Sequence, residues 1–359
     1  MTSGSRHLLV LVALAAVGWG CGARPATSGS ARVSQPATAP QREPALERFE
    51  GVEPHMGTLV SITVFAPDAT RAREALRAGF DRIHALNAIL SDYLPDSELS
   101  RVTREGVGRP LPVSADLFAV LAASQRLAIA TDGAFDVTQG PVIRLWRDAR
   151  LQKRLPDAAA LREASARSGH THMRLDEERR TVTFDIAGMQ LDVGAIGKGY
   201  AASEALAAIT RAGVRSALVA ASGDLAFSEA PPGQPGWRIR IHAGDIGDTA
   251  IPPIVRLVNR AVSTSGNAEQ HLDIDGRRYS HVIDPASRTG LVDDITVTVV
   301  SSHGVVADGL DTAIGVLGPE RGMALAEKAD DAAALIVTRT SGGTRADASS
   351  RMRALIAAQ

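Results

Sequence analysis

Leu191-Asp-Val-Gly-Ala-Ile-Gly-Lys-Gly-Tyr200 reads as a strand that carries Asp192 into a glycine-rich turn and leaves it as a helix beginning near Lys198. A strand feeding a helix through a tight turn is a building unit of α/β architecture. Glycines let backbone N–H groups approach anions, a helix start adds partial positive charge, and Lys198 adds a full one. A phosphate cradle is one reading, and a tight turn with a solvated lysine is an equal alternative. The segment is not a Walker A loop, which needs four residues between its glycines and a Ser or Thr after the Lys. Here two residues separate Gly194 from Gly197, and Gly199 follows Lys198.

Outward from this turn the pattern stays mixed. His55–Phe65 alternates as a strand, with Leu59, Ser61 and Thr63 on one face and Val60, Ile62 and Val64 on the other. Pro67 and Asp68 then open a long helix, Ala69–Leu90, with apolar residues at 76, 80, 83, 86 and 90. Further helices are expected at 117–130, 198–212 and 307–317, and a hairpin at 174–185. Strands are expected at 214–220, 237–242, 261–265, 295–301 and 332–339. Strands and helices alternate without a repeat or a second linker, so 47–359 reads as one large α/β domain with α+β mixing. The 359 residues are 45% hydrophobic and 22% charged, enough for a sizeable core. A formal net charge of −1 and 4% aromatics argue against a nucleic-acid partner.

Three other segments carry chemistry. Val306-Ala-Asp-Gly-Leu-Asp-Thr312 places Asp308, Asp311 and Thr312 within about one helical turn. Two carboxylates and a hydroxyl offer hard oxygen ligands, which suit Mg²⁺ or Ca²⁺ rather than zinc or copper. The competing reading is a capped helix with solvated acids. Gly133-Ala-Phe-Asp136, followed by Thr138 and Gly140-Pro141, could wall a planar ligand or simply pack the core. Tyr279-Ser-His-Val-Ile-Asp-Pro285 places His281 three residues before Asp284, and histidine is well poised for proton transfer near neutral pH. A hydrolase elbow of the form Gly-x-Ser-x-Gly is absent.

The N-terminus reads as an export signal. Arg6 and His7 precede the apolar run Leu8–Val17, which is too short to span a bilayer. The single cysteine, Cys21, stands where a lipoprotein signal ends, so 1–21 is expected to be a signal peptide with lipidation at Cys21. Residues 22–46 are rich in Ala, Ser, Pro, Thr and Arg and are expected to be a disordered linker.

Met56-Gly-Thr58, Ser91–Ser100, Gly133–Asp136, Asp192–Tyr200, Ser222-Gly-Asp224, Thr264-Ser-Gly266, His281–Pro285 and Ala307–Thr312 occur in one order. Together they resemble the ApbE-type flavin transferases (FAD:protein FMN transferases), over about Glu53 to Ala358. The resemblance implies transfer of FMN from FAD to a Thr or Ser hydroxyl of an acceptor protein, with Mg²⁺ as cofactor and release of AMP. It implies that Asp308, Asp311, Thr312 and the Ala195 carbonyl hold the metal. It implies FAD contacts from Met56, Tyr93, Ala134, Phe135, Asp136, Asp192, Lys198 and Ile283. His281 is then the candidate for proton handling, with Asp308 or Asp311 sharing it. A membrane-anchored lipoprotein facing the periplasm fits the same family. FAD pyrophosphatase activity, or a flavin-binding accessory role without turnover, uses the same residues. Three positions depart from the family pattern: Ser222 stands where a glycine is common, Ser203 where an acid is common, and Ala286–Gly290 forms a longer turn.

Overall fold

The computed structural model describes residues 45–241, 254–266 and 271–358. The signal peptide, Cys21 and nearly all of the 22–46 linker lie outside these, as does His242. One eight-stranded sheet organises the domain. Its strands are β1 (Glu47–His55), β2 (Thr58–Ala66), β3 (Ser216–Ala221), β4 (Asp224–Phe227), β5 (Arg260–Gly266), β6 (Asp294–Ser301), β7 (Ala332–Thr340) and β8 (Gly343–Ala348). They lie side by side in chain order, every pair antiparallel. The larger helices are insertions into this meander: α1 (Ala69–Leu90), α2 (Ala115–Ala130), α3 (Gly140–Gln152) and α4 (Gly197–Arg211) between β2 and β3, and α5 (Gly304–Lys328) between β6 and β7.

Both faces of the sheet are covered, and β7 records this residue by residue. Ala332, Ala334 and Ile336 pack under α5 with Leu310 and Ile314. Ala333, Leu335 and Val337 face the other way, onto Trp237, Ile239 and Val255. The period of two is the pleat itself. On the α5 side, α1 and α4 cover β2 and β3 through Phe80, Ile83, Ala205 and Ile209. The hairpin Met173–Asp176/Thr181–Phe184 packs with α2 in a further core containing Leu117, Leu121 and Phe184.

Most expected elements form. α1 spans the expected residues, capped by Asp68, whose carboxylate accepts from the N–H groups of Thr70 and Arg71. Three differences are informative. The strand expected over 55–65 is the second half of a hairpin: β1 pairs with β2 across Met56-Gly57, both at positive φ (49° and 75°). That geometry belongs to a two-residue hairpin turn, and a methionine there conceals it. The strand expected to carry Asp192 does not form. Gln190 makes only an isolated bridge to Gln139, and the Asp192 N–H donates to Val137 O at 2.8 Å. The helix expected to end at Leu317 runs to Lys328, but it breaks at Gly318 (φ 76°), before Pro319.

Candidate functional site

The N-termini of α4 and α5 cross in direct backbone contact. A Cβ on Gly199 would lie 2.2 Å from Gly304 O and 2.6 Å from Asp308 Cβ, and one on Gly304 would lie 2.0 Å from Gly199 O. Only glycine fits both places. Ser203, standing where the family often has an acid, caps the crossing: its Oγ accepts from Gly304 N at 3.0 Å. The approach lets Gly199 N donate to Asp308 Oδ2 at 2.8 Å.

Five further residues close around this contact. Lys198 Nζ lies 3.2 Å from Gly194 O, 3.1 Å from Asp224 Oδ2 and 3.8 Å from Asp308 Oδ1. Ser263 Oγ on β5 lies 2.6 Å from Asp224 Oδ1 and 2.6 Å from Asp311 Oδ2. Thr312 Oγ1 donates to Asp311 Oδ1 at 3.2 Å. Asp224, Asp308 and Asp311 are each almost wholly buried. When all three are ionised, three carboxylates against one ammonium leave a surplus of two negative charges, the charge of one divalent cation.

Without a cation, protons offset that surplus. Burial, then the charge of Asp224, pushes Asp308 up to about 7 against the pull of Lys198 and the Gly199 N–H. Burial and the charges of Asp308 and Asp224 raise Asp311 well above the usual carboxylate range. Burial works against the Lys198 ammonium, but Asp308 and Asp224 outweigh it and raise its pKa. Ser263 has one proton to donate and two carboxyl partners, so without a cation one partner must bring its own proton, and Asp311 is placed to do so. Hard oxygens with surplus negative charge fit Mg²⁺ better than any soft or nitrogen-preferring metal. Among the described residues no group of three or more His, Cys, Asp or Glu is arranged as a metal site. Asp308, Asp311 and Thr312 offer two carboxylates and a hydroxyl, while the Gly194 carbonyl is taken by Lys198.

The remaining expected residues lie on several walls. Asp192 is buried; Arg147 donates to its Oδ2 at 2.6 Å and Gly194 N to its Oδ1 at 2.8 Å. Burial raises its pKa, with Arg147 opposing and Asp92 adding. The same Arg147 bonds Asp92 and stacks 4.4 Å from the ring centroid of Tyr93, which is 72% exposed. Tyr93, Ser100, Thr103, Arg104, Arg144 and Gln190 help line a cavity of about 280 Å³. Met56 sits in the β1–β2 turn, half-buried. Asp136 is taken up locally, accepting from Thr138 N and Oγ1, Gln139 Nε2 and His170 N. Phe135 and Ile283 are buried among other side chains, so neither offers an open ring or flank, and Ala134 beside Phe135 is half-buried. His281 is half-buried, and its neighbours Ser280 and Val282 line a small cavity with Gly315, one turn beyond Asp311. Asp224, Ser263 and Arg147 were not among the residues singled out from the sequence. The Ser222-Gly-Asp224 motif was the available signal for Asp224; nothing local marks the other two.

The chain matches the model of the ApbE family over residues 56–336. It is 32% identical over 293 residues to a FAD:protein FMN transferase of Klebsiella pneumoniae, covering 80% of this chain and 83% of that protein. The flavinyl transferase ApbE of Pseudomonas stutzeri, solved in its apo form, superposes with a TM-score of 0.76 at 31% identity, covering 88% of this chain and 98% of that one. The flavin transferase ApbE of Vibrio cholerae also gives 0.76, at 29% identity over 86% and 99% of the two chains.

Proposed function

The chain belongs to the ApbE family, and from that premise we propose a complete reaction for it. It is a transferase that moves FMN from FAD to an acceptor protein. In this reading a Thr or Ser oxygen of the acceptor attacks the phosphorus on the FMN side of the pyrophosphate. The bond from that phosphorus to the bridging oxygen breaks, AMP leaves with the oxygen, and the acceptor proton passes to His281. Asp308, Asp311, Thr312 Oγ1 and the Ala195 carbonyl would hold Mg²⁺, which when bound supplies neutralisation of pyrophosphate charge. Lys198, fixed between Gly194 O and Asp224, presents its ammonium beside that position. Tyr93 offers an exposed ring to a flat ligand, with Arg147 already stacked on it.

The observation that carries this reading is three buried carboxyl groups facing one ammonium where two helix N-termini and a glycine turn meet. A storage protein for FAD has no use for so costly an arrangement. The acceptor is met outside the cytoplasm, with the protein exported as a lipoprotein anchored through Cys21 and facing the periplasm. No described helix is long and apolar enough to cross a membrane.

The test uses residues 22–359 with FAD, Mg²⁺ and a candidate acceptor domain. AMP release is followed alongside in-gel fluorescence of the denatured acceptor. Flavin on the acceptor that tracks AMP one for one and vanishes with EDTA is the expected result. AMP with free FMN and no labelled acceptor would replace transfer by FAD hydrolysis.

A further inference from the structure

Asp224 is the one carboxylate of the centre that is not a proposed metal ligand, yet it is 3% exposed and makes two close contacts. Its Oδ2 lies 3.1 Å from Lys198 Nζ, and its Oδ1 lies 2.6 Å from Ser263 Oγ, which in turn lies 2.6 Å from Asp311 Oδ2. Lys198 Nζ lies farther, 3.8 Å, from Asp308 Oδ1. The chain Asp308, Lys198, Asp224, Ser263, Asp311 is therefore closed through α5, tying two helices to β4 and β5. We propose that Asp224 is a positioning residue: it draws the Lys198 ammonium away from Asp308, so that Asp308 is left open to a divalent cation, and through Ser263 it aims Asp311 at the same place.

The physical reason is competition. An ammonium and a divalent cation both seek Asp308 Oδ1, and the lysine is tethered there at high effective concentration. In the absence of Asp224 the ammonium has Asp308 as its remaining carboxylate, and contact would close from 3.8 Å to a full ion pair. Asp224 gives the ammonium a better partner on the far side. Groups that orient metal ligands without touching the metal commonly change affinity by about 10–100-fold when removed. The inference rests on the transferase reading of the site, because it needs Asp308 to serve a cation.

The experiment titrates Mn²⁺, read by electron paramagnetic resonance, into residues 22–359 with FAD present, for the parent, Asp224→Asn, Lys198→Met and the double variant. Circular dichroism checks that each folds. Asp224→Asn is expected to weaken Mn²⁺ by about tenfold or more. Lys198→Met is expected to tighten it, and adding Lys198→Met to Asp224→Asn should recover most of the loss while AMP release stays low. A gain of affinity in Lys198→Met establishes that the ammonium competes with the cation, and recovery of affinity in the double variant relative to Asp224→Asn assigns control of that competition to Asp224. Parent-like Mn²⁺ binding in Asp224→Asn, or weaker binding in Lys198→Met, overturns the inference alone. A parent that binds no Mn²⁺ and labels no acceptor overturns the reaction and this inference together.

Discussion

At the scale of the residue, Asp308 is the group whose surroundings say most. Burial first, and Asp224 next, push it up to about 7. An acid whose folded pKa lies above its unfolded value stabilises the fold fully below the unfolded value, near 4, and loses that contribution as pH rises through the folded one. Without a cation, the parent protein should therefore lose stability relative to Asp308→Asn between pH 5 and pH 7, by about 1.4 kcal/mol per pH unit. Thermal melts of the two in EDTA check this, and a difference that stays flat with pH would refute it. Cation binding runs in the opposite sense. Below pH 7 the ion must displace the Asp308 proton, so Mg²⁺ affinity should fall by up to about tenfold for each unit of pH. Asp308→Asn should abolish AMP release at every pH, because it removes both a ligand and one of the two surplus charges.

At the scale of the element, the α4–α5 crossing sets the distances on which those charges depend. Gly199 and Gly304 meet backbone to backbone, and a methyl group at Gly199 would overlap Gly304 O and the Asp308 Cβ. The expected result of Gly199→Ala is a parting of the two helices, a stability loss of about 1–3 kcal/mol, and loss of the Gly199 N–H bond to Asp308. Its Mn²⁺ affinity should fall as well, and wild-type affinity together with a wild-type Tm would refute the account. The crossing was partly legible in the sequence. The glycines of Leu191–Tyr200 announce a close approach, but not that its partner is another glycine 105 positions later. α1 was legible because five apolar positions and the Asp68 cap state the helix twice over. The β1–β2 hairpin was not, because Met56 adopts a positive φ that the eye assigns to Gly or Asn. Ser222 does the same at φ 61°, between β3 and β4.

At the scale of the whole molecule, the sheet brings distant residues to one point. Asp224 starts β4, Ser263 lies on β5, and α4 and α5 deliver Lys198 and Asp311 from above. Antiparallel register across β4 and β5 is what makes Ser263 a bridge, and no local pattern in the chain encodes it. That is why the trio proposed to hold the metal, Asp308, Asp311 and Thr312, could be read from seven consecutive residues, whereas its support could not. The proposed lipid anchor is separable from the chemistry. The chain's only cysteine is Cys21, and the first strand begins at Glu47, so no described contact depends on that thiol. Cys21→Ser should leave AMP release and Mn²⁺ affinity of the purified protein unchanged. In a bacterial host, the same change should move the protein from the membrane fraction to the soluble extracytoplasmic fraction and abolish incorporation of a labelled fatty acid. Membrane association that survives Cys21→Ser would remove the lipid anchor from the account while leaving the transferase intact. A Cys21→Ser protein retained in the cytoplasm would remove export as well, because an apolar run such as Leu8–Val17 directs translocation without help from the cysteine.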